Sequence, residues 1–213
     1  MRNILSILIA IGFGNILFAQ TTFYPEGSFK SFNNLISKES SKEHNLEIVK
    51  RTKGQIKFSG GNDYQLISPD KKISKKSLRK DFYAYSDGDK LYLNCFLHQI
   101  GLWYSLIEGE SKTHYVFRGS TPMNPARYGI EMKDMSVLFG GLIGGLSAAK
   151  RALIRIPYVM NKESEEITLI SQKNINEFLK EFPELLEAFE KEEQKGDVNI
   201  LMDYLIKWVE LKT

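Results

Sequence analysis

Four short apolar runs in the middle of the sequence, each bounded by turn-forming residues, constrain the fold more than any other feature. They are residues 82–85, 91–97, 102–107 and 113–117. Asp87 and Gly88 stand between the first two runs, and Asp-Gly is a strong hairpin signal because glycine accepts the positive φ of a tight turn. A second turn-forming stretch, 109–112, separates the last two runs. The pattern predicts a four-stranded antiparallel meander.

The second run also predicts that both faces of this sheet are covered. Side chains alternate across a strand, so Leu91, Leu93 and Cys95 would share one face. Tyr92 and Phe96 would lie on the other face. Because both faces then carry bulky side chains, we expect another layer of structure over the second face.

Weaker strand signals lie on both sides of the meander. The expected strands are 46–50, 56–58 and 64–67, followed later by a hairpin formed by 158–160 and 167–170. The stretch 52–55 contains a glycine and is interpreted as the turn between the first two of these strands.

The last third of the chain changes to helical periodicity. A helix is expected near Ile175, Pro183 suits the first turn of a second helix, and Asp197 is a good cap for a third. The third carries one apolar stripe, formed by Ile200, Leu201, Tyr204, Leu205, Trp208 and Val209. The spacing of Phe29, Phe32, Leu35 and Ile36 predicts a further short helix near the N-terminus. Strands followed by helices predict an α+β fold, an antiparallel meander with a glycine-rich helix and C-terminal amphipathic helices.

The first 20 residues show the order of residue types that is typical of a secretory signal peptide. A basic residue precedes the apolar run 4–18, and Leu17 and Ala19 stand at the −3 and −1 positions of a small-residue cleavage site. As a helix this run would be about 22 Å long, short of the roughly 30 Å hydrocarbon core, which disfavours the alternative of an uncleaved anchor. We expect a cleaved signal at 1–20 and a single α+β domain at 21–213.

Composition excludes several classes of site. The formal net charge is +3 over 213 residues, which gives no electrostatic reason to expect a nucleic-acid partner. Cys95 is the only cysteine, so the chain has no internal disulfide, and the usual Cys/His zinc sites are excluded by count. Because Cys95 lies in an apolar strand-like run, we expect its thiol to be buried and inert.

Residues 137–149 form an unusual glycine-rich apolar segment. On a helix, Gly140, Gly141, Gly144 and Gly145 would form a smooth groove that allows close approach by another helix. Two interpretations stay open: a buried glycine-rich helix packed on the sheet, or a segment that contacts a membrane or its own copy in an oligomer. An apolar run of about 15 residues is too short to span a bilayer comfortably on its own.

A second candidate surface combines positive charge with aromatic residues. The basic run contributes Lys71, Lys72, Lys75, Lys76, Arg79 and Lys80, and the aromatic residues are Trp103 and Tyr104. Such a surface could meet an anionic polymer, lipid headgroups or a glycan. Two simpler interpretations compete with it: a solvated charged face, and aromatic residues buried in the core of a small sheet.

The sequence offers no recognisable catalytic, cofactor or metal motif. His44, His98 and His114 are scattered without metal-ligand spacing, and no Gly-x-Ser-x-Gly elbow occurs. The acidic residues on either side of Gly88 resemble part of a calcium loop, but a hairpin turn explains them fully. We therefore name no catalytic residue, no cofactor and no metal.

A set of short motifs runs through the chain. They are Tyr-Pro-Glu-Gly at 24–27, Asp-Lys-Lys-Ile-Ser-Lys-Lys at 70–76, Ala-Tyr-Ser-Asp-Gly-Asp at 84–89, Leu-Tyr-Leu-Asn at 91–94, and the glycine-rich segment before Lys150 and Arg151. Their combination resembles a family of small secreted bacterial proteins known only as a domain of unknown function. The resemblance covers nearly the whole chain after the signal. It implies one continuous exported module and brings no known activity or catalytic residues with it.

Together these features favour an exported protein, periplasmic or secreted, that is not an enzyme and binds an envelope protein, a glycan or the membrane surface. One alternative is an extracytoplasmic hydrolase whose site is assembled from scattered residues, and another is a membrane-associated oligomer formed through residues 137–149. A polar pocket that holds His98 or His114 beside an acid would favour the hydrolase. A flat aromatic face or an exposed glycine groove would favour binding.

Overall fold

The computed structural model describes residues 23–128 and 148–213. Its strands are β1 (Gly27–Phe29), β2 (Glu47–Lys50), β3 (Tyr64–Ile67), β4 (Ala84–Ser86), β5 (Leu91–Asn94), β6 (Tyr104–Glu110), β7 (His114–Gly119), β8 (Ile156–Asn161) and β9 (Ile167–Leu169). Its helices are α1 (Phe32–Ile36), α2 (Lys53–Ser59), α3 (Lys75–Lys80), α4 (Ala148–Arg151), α5 (Ile175–Leu179), α6 (Pro183–Glu190) and α7 (Val198–Leu211), with a 3₁₀ turn at Pro125–Tyr128. The predicted α+β class is confirmed.

The nine strands join in one antiparallel sheet. Its main path is β1-β4-β5-β6-β7-β8-β9, so β4 to β9 form a meander in chain order. The meander predicted from four strands is confirmed and extends to six. The β2–β3 hairpin lies off this path and pairs with β6 through one residue pair, Tyr64 with Tyr104.

The β4–β5 hairpin forms at the predicted Asp-Gly turn. Gly88 has a φ of +97°, in the region that favours glycine. The Asp87 carboxylate accepts from the backbone N–H groups of Asp89 and Lys90 at 3.0 and 2.7 Å. These bonds stabilise the turn and give the Asp87 carboxylate a structural role.

Alternation along the strands separates two sides of the sheet, as predicted. Leu91, Leu93 and Cys95 join the largest core cluster, together with Tyr115, Phe117, Tyr158 and Met160. On the opposite side, Tyr92 packs in a cluster that contains Leu66 of β3 and Leu78 of α3. The expected second layer is therefore present, and at this end of the sheet it consists of the β2–β3 hairpin and α3.

The C-terminal helices cover the other end of the same outer face. Val116 and Val159 point outward from β7 and β8 into a cluster built mainly from α5, α6 and α7. Asp197 caps α7 by accepting from the N–H groups of Asn199 and Ile200, and Pro183 occupies the first turn of α6. All three helices begin where the sequence predicted them, within a few residues.

Two local predictions are wrong. Residues 56–58 are not a strand but part of α2, because Thr52 and Gln55 form a capping box rather than a turn. The Thr52 hydroxyl accepts from the Gln55 N–H, and the Gln55 side chain accepts from the Thr52 N–H, which satisfies two donors that a helix start otherwise leaves unpaired. Phe29 lies in β1 rather than in the first helix, which begins at Phe32.

The predicted signal peptide and the proposed groove of Gly140, Gly141, Gly144 and Gly145 lie outside the described residues. Of the glycine-rich segment, only Ala148 and Ala149 are described, and they begin α4. Within the described ranges, no helix combines the length and the apolar character needed to cross a membrane.

Candidate functional site

A polar cleft opens on strand β6, where its neighbours β3 and β7 diverge. β3 pairs with β6 at Tyr104, whereas β7 pairs with it from Ile107 onward. Ser105 and Leu106 lie between these two pairings and line a cavity of about 240 Å³, which we call the fork cleft. Its other lining residues are Asp63, Tyr64, Glu108, Arg118 and Arg155.

One wall of the fork cleft is fixed by an ion pair between Arg155 and Asp63. The guanidinium donates from Nη2 to Oδ1 at 2.6 Å and from Nε to Oδ2 at 3.0 Å. Its Nη atoms also donate to the backbone carbonyls of Ala152, Ile154 and Gly61. The Arg155 side chain is 13% exposed and that of Asp63 38% exposed. The arginine is therefore locked in place, while the carboxylate keeps lone pairs open to the cleft.

A second arginine–carboxylate pair lies on the opposite side of the fork. Arg118 Nε donates to both oxygens of Glu108 at 3.0 and 3.1 Å, and Nη2 donates to Oε2 at 2.7 Å. Nη1 donates to the Asn199 side chain of α7 at 3.1 Å. The bonds to Glu108 raise the pKa of Arg118, so the guanidinium stays charged. Since each Nη carries two N–H groups, Arg118 retains donors for a ligand.

Tyr64 supplies the aromatic surface of the cleft. Its ring lies 4.9 Å from that of Tyr92, tilted by 57°, which fixes its orientation. Burial raises the pKa of Tyr64, so its hydroxyl stays protonated near neutral pH. With two arginines and two carboxylates, the lining has no net charge and offers acceptors, donors and one ring face.

Two buried side chains brace the loop that carries Asp63. Arg51 donates to the carbonyl of Asn62 at 2.7 Å. Asn62 Nδ2 donates to the carbonyls of Ile100 and Leu102, and Asn62 Oδ1 accepts from the N–H of Ser120 at 2.6 Å. Burial and the neighbouring Arg155 lower the pKa of Arg51. The guanidinium still stays charged, because an arginine side chain does not lose its proton in a protein. These bonds tie β3 to the segments before β6 and after β7, so the cleft wall is rigid.

A separate polar cluster joins the start of the described chain to β6, β7 and β8. The Tyr24 hydroxyl donates to Glu110 at 2.7 Å and lies 2.6 Å from the Tyr115 hydroxyl. Lys162 also binds Glu110, and it donates to the carbonyl of Ser111 at 2.6 Å. Burial raises the pKa of Tyr24 and lowers that of Lys162. Because the members of this cluster satisfy one another, we interpret it as a structural clasp.

The basic run forms α3 and the turn before it. Ser74 caps the helix, and Lys72 pairs with Asp70 at 3.3 Å. The Arg79 guanidinium lies 5.5 Å from the Trp103 ring. The remaining cations, Lys71, Lys75, Lys76 and Lys80, are exposed, with Lys80 6.0 Å from the Phe96 ring. The run thus presents exposed lysines, as the solvated-face interpretation expects.

The aromatic part of the predicted surface needs correction. Tyr104 is fully buried and donates to the carbonyl of Leu78 at 2.9 Å, and Trp103 is only 8% exposed. Both pack in the cluster under α3 because that helix covers the outer face of β5 and β6. They are core residues rather than a face open to a ligand.

The three histidines contact three different aromatic rings and do not line the fork cleft. His98 lies edge-on to Tyr83 at 5.3 Å, His114 to Trp208 at 4.9 Å and His44 to Phe82 at 6.1 Å. Burial lowers the pKa of His98 to about 4. Cys95 is fully buried as predicted, and burial raises its pKa to about 12. Across residues 23–128 and 148–213, no three His, Cys, Asp or Glu residues converge to hold a metal ion.

The fork cleft was not identified from the sequence. Asp63 and Arg155 are 92 positions apart, and no local pattern connects them. The other pair, Glu108 and Arg118, is only ten positions apart and lies on the neighbouring strands β6 and β7, where opposite charges often pair.

Comparison with family models gives one match over most of the chain. A model described as a family of unknown function (DUF6563) matches residues 27–212. Comparison with curated proteins and with solved structures gives no match.

Proposed function

We propose that this chain, which belongs to the family of unknown function DUF6563, is an exported binding module whose fork cleft holds a neutral saccharide unit. One observation carries the proposal: the two cleft carboxylates, Asp63 and Glu108, are each held by an arginine beside the ring of Tyr64.

The charge balance of the lining favours an uncharged polar ligand. Two guanidinium groups and two carboxylates cancel, so the cleft offers little net attraction to an ion. A sugar hydroxyl both donates and accepts, and it can therefore use the open lone pairs of Asp63 and Glu108 as well as the remaining N–H groups of Arg118. The C–H face of a sugar ring can pack on Tyr64, since an aromatic face is electron-rich.

The size and rigidity of the cleft support the same ligand class. Its 240 Å³ is below the roughly 300–1,000 Å³ of sites for drug-sized ligands, which suits one small unit or the end of a chain. Both carboxylates are held by more than one N–H···O bond, and the brace formed by Arg51 and Asn62 fixes the wall. A preorganised site loses less conformational entropy when it binds.

The saccharide proposal is tested by calorimetry with a panel of neutral mono- and oligosaccharides. We expect Asp63→Asn and Glu108→Gln each to weaken the affinity for the bound sugar about tenfold or more, in variants that unfolding curves show to be folded at the assay temperature. The matched control is Glu187→Gln, which alters an exposed i,i+4 ion pair on α6 and should leave affinity unchanged. A panel without a binder, or binding that ignores Asp63 and Glu108, contradicts the proposal.

The same samples distinguish a binding module from the alternative hydrolase. Chromatography of the sugar after prolonged incubation with the protein should return it intact. Cleavage that is lost in Asp63→Asn or Glu108→Gln would establish the hydrolase instead.

Export rests on the order of residue types in the first 20 residues. The test is to express the full chain in a secreting bacterial host and to sequence the N-terminus of the product. We expect a start near Gln20 or Thr21, outside the cytoplasm. A product that retains Met1 contradicts export by a cleaved signal.

A further inference from the structure

Helix α2 carries the most exposed large apolar side chain of the described residues. Phe58 is 95% exposed, whereas its neighbour Ile56 is buried and anchors the helix to the protein. Single exposed apolar residues are common on protein surfaces, so exposure alone has no functional meaning. The charges around Phe58 are what make this position unusual.

Positive charge is concentrated around Phe58 without acidic residues nearby in the chain. Residues 48–62 contain Lys50, Lys53 and Lys57 and no Asp or Glu. Helix α4 packs against α2 and adds Arg151, and residues 148–157 also contain no Asp or Glu. Lys53, Lys57 and all four residues of α4 are exposed. We call Lys53, Lys57, Phe58 and Arg151 the α2–α4 patch.

We propose that the α2–α4 patch docks the protein on an anionic lipid bilayer, with Phe58 inserted among the headgroups and the surrounding cations paired with lipid phosphates. Charge complementarity selects this occupant, because the exposed cations Lys53, Lys57 and Arg151, without an acid on either helix, match a negatively charged surface. An aromatic ring is well placed at a membrane interface, where amphipathic and aromatic side chains concentrate. This binding site is independent of the saccharide proposal.

The fold fixes the patch relative to the fork cleft. Helix α2 leads through residues 60–62 to Asp63, and α4 leads through 152–154 to Arg155. The Asp63–Arg155 pair therefore connects the segment that follows α2 with the segment that follows α4. Arg155 also donates to the carbonyl of Ala152 at 3.0 Å. A protein docked through the patch would hold the cleft at a defined place beside the bilayer surface.

Vesicle co-sedimentation of the purified protein tests the proposal. We expect binding to vesicles of phosphatidylglycerol and phosphatidylcholine at 30:70, and little binding to pure phosphatidylcholine. Binding should fall at about 0.5 M salt, because the Debye length shrinks to a few ångströms. Lys53→Glu/Lys57→Glu should weaken binding at least tenfold, since each cation near an anionic surface contributes roughly a fivefold effect. Phe58→Ser should weaken it about tenfold.

Two matched controls separate the patch from general basicity and general apolarity. Lys76→Glu/Lys80→Glu makes the same i,i+4 charge change on α3, and Leu211→Ser removes another exposed apolar side chain, which is 57% exposed. Both controls should bind as the unmodified protein does. Equal loss in the α3 variant, or absence of binding to the anionic vesicles, overturns the proposal.

A direct readout of insertion completes the test. The native tryptophans, Trp103 and Trp208, are buried, so Phe58→Trp adds a single exposed fluorophore. Its emission should shift to the blue on anionic vesicles and be quenched by brominated lipid. Vesicle binding without this shift would contradict insertion at Phe58.

Discussion

Arg155 and Asp63 lie 92 positions apart in the chain and meet through two N–H···O bonds of 3.0 and 2.6 Å. The pair connects the residue that precedes β8 with the residue that precedes β3, two strands that do not pair with each other. It therefore fixes one wall of the fork cleft, where the sheet itself does not join these two segments.

Breaking this pair should destabilise the protein. Arg155→Met removes both bonds to Asp63 and three donations to backbone carbonyls, with an expected loss of about 1–3 kcal/mol in the free energy of unfolding. Because Asp63 is 38% exposed, water can solvate its carboxylate once the arginine is removed, which favours a loss in the lower part of that range. Urea unfolding of Arg155→Met, Asp63→Asn and the double variant measures the coupling, which we expect to be about 1 kcal/mol.

The exposed pair Glu187–Lys191 on α6 is the control for that cycle. Both side chains are at least 70% exposed, so no coupling should be measurable there. Strict additivity at Arg155 and Asp63 would show that the pair does not brace the cleft.

Asn62 should be more sensitive to substitution than an exposed asparagine. Its side chain is fully buried and makes three bonds to backbone groups of residues 100, 102 and 120. Asn62→Ala leaves the buried N–H of Ser120 without this acceptor, so we expect a loss of about 2–4 kcal/mol in the free energy of unfolding. Asn33→Ala, at an exposed position in α1, should change stability by less than about 0.5 kcal/mol. Similar losses in both variants would contradict the bracing role.

Local sequence patterns predicted most of the sheet and the C-terminal helices because their signals lie within a few residues. Gly88 in a hairpin turn, Pro183 in a first turn and Asp197 as a cap each act on neighbouring backbone groups. Helix α2 was mispredicted because the reciprocal bonds of Thr52 and Gln55 outweigh the strand-like character of a three-residue apolar run.

The candidate sites depend on contacts that local patterns do not contain. Asp63 and Arg155 come from segments far apart in the chain, one before β3 and one before β8, and the contact of α2 with α4 likewise joins distant segments. Trp103 and Tyr104 illustrate the converse, since their burial depends on α3 folding over them. Sequence composition identified these residue types but could not decide which of them reach the surface.

Stability should decrease as the pH falls from about 6.5 towards 4 because His98 is buried. Burial lowers the pKa of His98 from 6.5 to about 4, with a further contribution from Arg127, so the unfolded chain binds more protons in this range. The free energy of unfolding therefore rises with pH and reaches its full value above about pH 6.5. Relative to that value, it is lower by about 2 kcal/mol at pH 5 and by about 3 kcal/mol at pH 4. Denaturant unfolding between pH 4 and 7.5 measures this dependence.

Substitution isolates the contribution of His98 from that of the carboxylates. His98→Gln removes the titrating group. Between pH 7.5 and 5, the variant should therefore lose about 2 kcal/mol less free energy of unfolding than the unmodified protein. His44→Gln, at a partly exposed position, should retain the steep dependence. Parallel pH profiles for His98→Gln and the unmodified protein would show that burial of His98 does not penalise its protonation.

Cys95 should react with thiol reagents only when the protein opens. It is fully buried, and burial raises its pKa to about 12, so the reactive thiolate is both rare and inaccessible in the native state. With Ellman's reagent at pH 8, we expect negligible labelling of the native protein and one equivalent in denaturant, since the chain has one cysteine. Because Cys95 lies in the main core beside Leu93, the slow native rate should report opening of the core, and it should increase in Asn62→Ala in proportion to the lost stability. An immediate native reaction would place the thiol at the surface and contradict the core arrangement around β5.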